Sequence, residues 1–347
     1  MLNDDYAHAK ACGIIGKSFL GKKISSLAGL HSLSELDRLI FPDIHRDLPG
    51  RELLVDLEHR ITKRAVKQIL VIVNSYPVPP EILVRMLRVY EYNNIKLCLQ
   101  NISLGKKELP LLCDIGRFRT VNFQAFPDIE AMLKGTEFIS LLSQDLKSLQ
   151  QAADQQEFDF SQIETKLDAH YYFGLAESLS LLSSEDRKAA QRILSEEISL
   201  RNCVWALRLR TYYQKTASET GKFLMDIKLP GANREKNPSL ASEAVKSLEL
   251  PLDSRLPWRG WKWEKFLNPE EASAHWTANP RHFQNAASQY LYRLAFRFFH
   301  RFPMEVSKIF CFIKLKQFEE DFLTSIAEGL SLGIDSTSVF KLLEVSL

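Results

Sequence analysis

Three sets of residues in this sequence have the types that chemistry uses, and each fails on spacing or context. Gly16-Lys-Ser-Phe-Leu-Gly21-Lys22-Lys23 follows a phosphate-binding loop up to its last position. Such a loop needs a Ser or Thr hydroxyl on magnesium where Lys23 stands, and a buried strand where residues 6–15 read as helix. The acidic run Glu319-Glu320-Asp321 lacks the paired aspartates with which helical enzymes hold a metal and a diphosphate. It reads as one paired core glutamate beside two solvated acids. The eight histidines stand singly. No H-E-x-x-H occurs, His275 and His282 lack a spaced third ligand, and no G-x-S-x-G is present. No catalytic, cofactor-binding or metal-binding residue is assigned, and the chain is expected not to be an enzyme.

Composition narrows the class further. Across 347 residues, 45 Lys+Arg against 43 Asp+Glu leave a net charge of +2, so no global positive field marks a nucleic-acid binder. The basic clusters Arg60-Ile-Thr-Lys63-Arg64 and Leu207-Arg208-Leu209-Arg210 read as solvated helix faces, with Arg64 also available to pair with an acid. Five cysteines (Cys12, Cys98, Cys113, Cys203, Cys311) lie far apart without a C-x-x-C pair. They read as small buried residues of a reducing compartment rather than a disulfide framework or a zinc site. The opening Met-Leu-Asn-Asp-Asp lacks the basic and apolar segments of a signal peptide. The longest apolar runs, 69–73 and 309–313, fall far short of the ~18 residues that span a bilayer. The expectation is a cytoplasmic chain that meets a membrane only through a partner.

The elements that must position these residues are helices. From Glu52 to Val73, the residues Leu53, Leu57, Ile61, Ala65, Ile69 and Val73 recur at helical spacing and make a core-facing stripe. Similar stripes cover roughly 5–24, 34–41, 81–103, 128–150, 160–181, 184–214, 280–300 and 304–332, with a short helix near 337–346. Pro80 and Pro303 suit first-turn positions. Arg119 to Phe123 is the best alternating stretch, so strands should be few and the fold class is all-α. Residues 105–127 and 226–263, rich in Pro and Gly, are connectors. The second ends in Trp258, Trp261 and Trp263, which either staple the connector to the body or present an anchor to a partner.

A repeat runs through these helices. Tyr90-Glu91-Tyr-Asn-Asn94-Ile95 aligns with Phe318-Glu319-Glu-Asp-Phe322-Leu323, and both copies close on Ser-Leu-Gly at Gly105 and Gly333. A weaker copy, Ser199-Leu-Arg-Asn202, sets Asn202 on Asn94. Each copy follows an earlier helix: Leu57-Glu58-x-x-Ile61-Thr62 matches Ile163-Glu164-x-x-Leu167-Asp168, and Ser288-x-x-Leu291-Tyr292 is a degenerate third. Glu91 and Glu319 sit on apolar stripes, where an unpaired carboxylate costs on the order of several kcal/mol. Each is expected to meet an Arg, a Lys or a backbone donor from a neighbouring helix. Gly105 and Gly333 fit helix C-termini in the left-handed conformation.

Tyr90-Glu91-Tyr92-Asn93-Asn94-Ile95-Lys96, Glu197-Ile-Ser-Leu-Arg-Asn202-Cys-Val-Trp-Ala-Leu-Arg208-Leu-Arg210 and Lys316-Gln-Phe-Glu319-Glu-Asp-Phe-Leu together resemble the family of the C and d subunits of V-type and A-type rotary ATPases. Tyr6-Ala-His-Ala-Lys-Ala is similar to that family's first helix, and Pro257-Trp-Arg-Gly-Trp-Lys-Trp resembles its bacterial members. The resemblance implies an all-helical funnel of three similar units about a pseudo-threefold axis. It also implies a non-catalytic adaptor between the central stalk and the membrane rotor ring of an ion-transporting ATPase, peripheral to the cytoplasmic face, with no cofactor and no nucleic acid. Ser199 and Phe322 depart from the acid and Asn usual at their positions. The units are read as 1–125, 126–235 and 236–347. Structural or interface candidates are Glu91, Asn94, Asn202, Arg208, Glu319, Trp258, Trp261 and Trp263. A generic helical-repeat scaffold is the alternative, set back by the unequal spacing of the copies and the absence of a tetratricopeptide pattern.

Overall fold

Apolar residues three and four apart build the long helices, and side-chain caps fix several starts. The computed structural model describes residues 2–21, 23–44, 46–146, 160–229, 238–270, 275–301 and 305–343. In chain order the helices are α1 (Leu2–Ile15), α2 (Leu33–Ile40), α3 (Gly50–Val73), α4 (Glu81–Leu87), α5 (Val89–Ser103), α6 (Ile129–Leu133) and α7 (Glu137–Leu141). They continue as α8 (Phe160–Ser178), α9 (Ser184–Tyr212), α10 (Ala217–Gly221), α11 (Ser242–Leu248), α12 (Pro280–Arg301), α13 (Val306–Ser331) and α14 (Ser336–Leu342). Ser32, Ser183 and Asp335 each accept a hydrogen bond from a first-turn amide, at 3.3, 3.2 and 3.0 Å. Gly105 and Gly333, just past α5 and α13, have φ of 68° and 77°, a conformation that closes a helix and favours glycine. No strand occurs among the described residues.

Several boundaries differ from those the periodicity implies. The stripe over 128–150 is not one helix: Gly135, with φ 79°, separates α6 from α7, and residues 147–159 lie outside the described part. The 81–103 stripe is divided at Arg88, and the 5–24 stripe is helical only to Ile15. Arg119 to Phe123 forms no strand; it lies between the 3₁₀ turns Gly116–Phe118 and Phe123–Ala125. Pro80 immediately precedes α4, whereas Pro303 lies outside the described residues.

Packing is cyclic. α4 and α5 lie on α8, α9 lies on α12, and α13 lies on α3. The later helix of each repeated pair thus packs on the earlier helix of the next pair, and the last returns to the first. α13 is the hub, packing also against α1, α2, α4, α9, α12 and α14. Its segment Ile309-Phe-Cys-Phe-Ile313 is buried on every side. A helix apolar all round belongs in the core of a large protein, and the burial of each large side chain there contributes about 1.5–3 kcal/mol. Farther along α13, Gly329 lets α14 approach closely, since a Cβ there would sit 2.3 Å from Val339 Cγ2.

Candidate functional site

The repeat positions on α5 and α9 each clamp a loop to their helix. Asn94 is buried; its Nδ2 donates to the Cys113 carbonyl at 2.7 Å and its Oδ1 accepts from the Cys113 amide at 3.0 Å. Asn202, equally buried, repeats the pair on Met225 at 3.1 and 2.8 Å. One side-chain amide thereby satisfies both backbone groups of a loop residue that has no strand beside it. Phe322 holds this position on α13 and stacks on Phe340 instead, with ring centroids 5.3 Å apart.

The position one turn earlier also serves loops. Glu91 accepts from the amides of Thr120 and Val121 and from the Thr120 hydroxyl. Glu319 accepts from the Phe19 amide at 2.8 Å, pairs with Lys316, and lies 3.8 Å from Arg64. Ser199 accepts from Trp263 Nε1 at 3.2 Å. The backbone donors come from connecting loops rather than from neighbouring helices. Loop amides carried into the core are the groups that would otherwise be buried unpaired.

The tryptophans work on the same principle. Trp258 and Trp261 are buried and donate to the carbonyls of Pro251 and Glu243 at 2.8 and 3.0 Å. With Trp263 they pack the connector against α9 and α12, among Leu200, Cys203 and Phe283. Their rings lie inside, not at the surface.

Other sequence readings change. Cys12 is exposed while the remaining cysteines are buried. Arg60 pairs with Asp37 and Asp56, each at 2.7 Å, and Arg210 donates to the carbonyls of Ser247 and Leu250, so neither is simply solvated. Gly16 follows the end of α1 rather than a strand, and Lys22 lies outside the described residues. Among the described residues no three His, Cys, Asp or Glu side chains are grouped to hold a metal ion.

Between the helices lies an open cavity of two adjoining lobes, about 430 and 920 Å³. Gln284, Ser288, Phe318, Glu320 and Asp321 line both. Equivalent repeat positions face it: Val89, Glu197 and Gln317; Asn93, Arg201 and Asp321; Lys96, Val204 and Thr324. The earlier helices contribute Thr62, Asp168 and Tyr292, again one equivalent position. Arg208 lines the smaller lobe.

Charged pairs tie the walls together. Lys96 Nζ lies 2.7 Å from Asp168, whose other oxygen is 3.9 Å from Arg201. The Arg201 guanidinium sits 5.2 Å from the Tyr172 ring, and Tyr172 donates to Glu197 at 2.8 Å. Lys314 Nζ reaches Glu197 at 2.8 Å. Burial acts to raise the Glu197 carboxyl, but Lys314, Arg201 and Tyr172 together hold it below the usual range. The buried Lys314–Glu197 pair adds little net stability yet fixes how its helices meet, because breaking it strands a charge. Glu320 is half-buried and accepts from Tyr90 at 2.7 Å, so it is not the solvated acid its neighbours in sequence imply. Burial pushes its carboxyl up to about 7 despite hydrogen bonds from Thr62 and Tyr90. Asp321 is exposed toward the cavity, as the solvated reading expects, and the helices around it push its carboxyl up to about 6.

Raised carboxyls in a cleft are a common mark of acid–base chemistry. Here the two are neighbours on one helix, so their carboxyls do not face each other, and Glu320 is engaged by Tyr90.

Comparison with known proteins decides the family. Residues 43–339 match the family model of the ATP synthase (C/AC39) subunit. The chain belongs to this family. It is therefore a member of the C/d group of V- and A-type ATPase subunits. A protein of Treponema pallidum (strain Nichols), itself described only as uncharacterized, is 24% identical over 330 residues, spanning 95% of this chain and 93% of its own length. Among the described residues of this C/AC39 protein, no helix is long and apolar enough to cross a membrane.

Proposed function

We propose that this C/AC39 protein is the non-catalytic adaptor of a V/A-type rotary ATPase, seating the rotating central stalk on the membrane rotor ring at the cytoplasmic face. Three units, 1–125, 126–235 and 236–347, stand about a pseudo-threefold axis as a funnel, and the cavity is its socket. The observation that carries this reading is the closure of α13 onto α3 around a cavity lined by the same repeat positions from each pair. An open helical stack leaves its terminal units apart. A closed ring resists twisting between its ends, as torque transmission requires. Contact with the membrane is through partner subunits, and the loop clamps at Asn94 and Asn202 hold connecting loops against α5 and α9.

The test is affinity purification of the full chain from its own membranes, followed by native mass spectrometry. The expected result is one copy in a complex with rotor-ring and stalk subunits. Recovery of the chain alone, with no other part of the ATPase attached, would overturn the assignment.

A further inference from the structure

The contact between α5 and α8 turns on a histidine. Tyr92 is buried, and its hydroxyl lies 2.6 Å from His170 Nδ1, its one hydrogen-bond partner among the described residues. On the other side of the imidazole, Nε2 lies 3.9 Å from Glu137 on α7. Arg85 of α4 approaches the same carboxylate at 3.6 Å and pairs with Glu81 at 2.8 Å. Gly174, one turn after His170, makes room for that arginine, since a Cβ there would sit 2.8 Å from its Nη1. Phe138 and Tyr171 meet the Tyr92 ring edge-on, with centroids 4.9 and 5.4 Å away. Four helices thus converge on one imidazole. By contrast, α9 meets α12 through an apolar cluster that includes Leu200, Cys203, Phe283 and Leu291.

Adding a proton to His170 changes these bonds. Glu137 faces Nε2 and favours the tautomer with its proton there, so Nδ1 accepts from the Tyr92 hydroxyl. In the imidazolium Nδ1 becomes a donor, and the hydroxyl hydrogen is left buried without an acceptor. The charged groups that face the ring are Glu137 from α7, Arg85 from α4 and, on its own helix, Glu177. α9 sends Glu197 and Arg201 to Tyr172 and Asp168 instead. Burial and Arg85 outweigh the two acids and hold the imidazole below its ordinary 6.5. A group lowered by folding stabilises the fold fully above its unfolded value, and that contribution is lost as pH falls below it. The side chain is 24% exposed, so a proton reaches it from solvent without unfolding.

We propose that Tyr92, His170 and Glu137 form an acid-operated latch, which holds α5 on α8 near neutral pH and loosens that contact when the surrounding solution acidifies. Arg85, seated over Gly174, sets the latch by opposing the imidazolium. The latch belongs to the helical ring itself and does not depend on the adaptor assignment.

Amide hydrogen exchange of the full chain, read by mass spectrometry at about pH 7.5 and 5.5 and corrected for the intrinsic rate at each pH, measures the opening of each contact. Peptides of α5 and α8 are expected to open about three- to tenfold more readily at the lower pH, tenfold being the ceiling for a group of ordinary value 6.5. Peptides of α12 are expected to stay level. Glu320 and Asp321 titrate nearby with the opposite sign, because burial raises them, so they do not mimic the effect. His170→Asn keeps an acceptor where Nδ1 stands but takes no proton, and is expected to abolish the pH difference. Tyr92→Phe keeps the ring and removes the hydroxyl. It is expected to loosen the contact at pH ~7.5 and shrink the difference, and it reports on the latch even where His170→Asn folds poorly. Equal responses of α5, α8 and α12 to acid in the wild-type chain would overturn the proposal, and so would the full wild-type difference persisting in either variant.

Discussion

Replacing Asn202 by alanine removes the amide that satisfies both backbone groups of Met225. The native bonds are 3.1 and 2.8 Å long, and both Asn202 and Met225 are buried, so water does not replace them. A buried donor or acceptor left unpaired costs about 1–3 kcal/mol, so Asn202→Ala should cost roughly 2–5 kcal/mol. Unfolding entropy of roughly 2.1 cal/mol/K per residue gives about 0.7 kcal/mol/K for 347 residues, so a loss of about 3 kcal/mol lowers the melting temperature by about 4 °C. The assay is a thermal melt by circular dichroism, with hydrogen exchange to localise the loss. Protection should fall around Met225, the residue the clamp holds. Asn94→Ala should behave alike through Cys113, and Asn93→Ala, one residue away on an exposed position, should shift the melt by less than about 1 °C. An Asn202→Ala variant indistinguishable from Asn93→Ala would refute the clamp.

Glu91→Ala should cost more, on the order of 3–6 kcal/mol, because two loop amides and a hydroxyl lose their acceptor, and Glu91→Gln should fall between, as followed by denaturant titration. Glu319→Ala strands the buried Lys316 and should cost about 3–5 kcal/mol; loss of ATPase assembly at unchanged stability in either variant would make these interface residues instead. Glu320 has a folded pKa near 7, above that of an unfolded glutamate, so between about pH 4 and 7 only the folded state keeps its proton and stability falls as pH rises through that window. Glu320→Gln should therefore flatten the pH dependence of the melt and be relatively more stable above pH 7; an unchanged slope would contradict the assignment. Gly329→Ala should cost about 1–3 kcal/mol by pushing Val339 and α14 away, read from the same melts.

Local chemistry is legible in the sequence wherever the partner lies near or the pattern repeats. The long helices follow from apolar spacing, and the equivalence of Asn94 and Asn202 survives sequence drift because each must satisfy an amide and a carbonyl together. The closure of the ring is not legible. It depends on α13 meeting α3 across almost the whole chain, and no local pattern encodes that. The solvated reading of Glu320 fails for a related reason, since its partner Tyr90 is 230 residues away. The cavity leaves no motif either. Asn93, Arg201 and Asp321 occupy one structural position with three different side chains, so their common role appears only once the helices are placed. The run at 309–313 reads in the sequence only as too short for a membrane, whereas it is the buried centre of the hub helix.

The central claim is that this chain stands between stalk and ring within a rotary ATPase. Electron cryomicroscopy of the ATPase purified from its own membranes tests it most directly. The account predicts density for one copy on the axis of the rotor ring, with the end of the stalk seated in the cavity. A complete ATPase lacking this chain, or holding it away from the rotor axis, would contradict it.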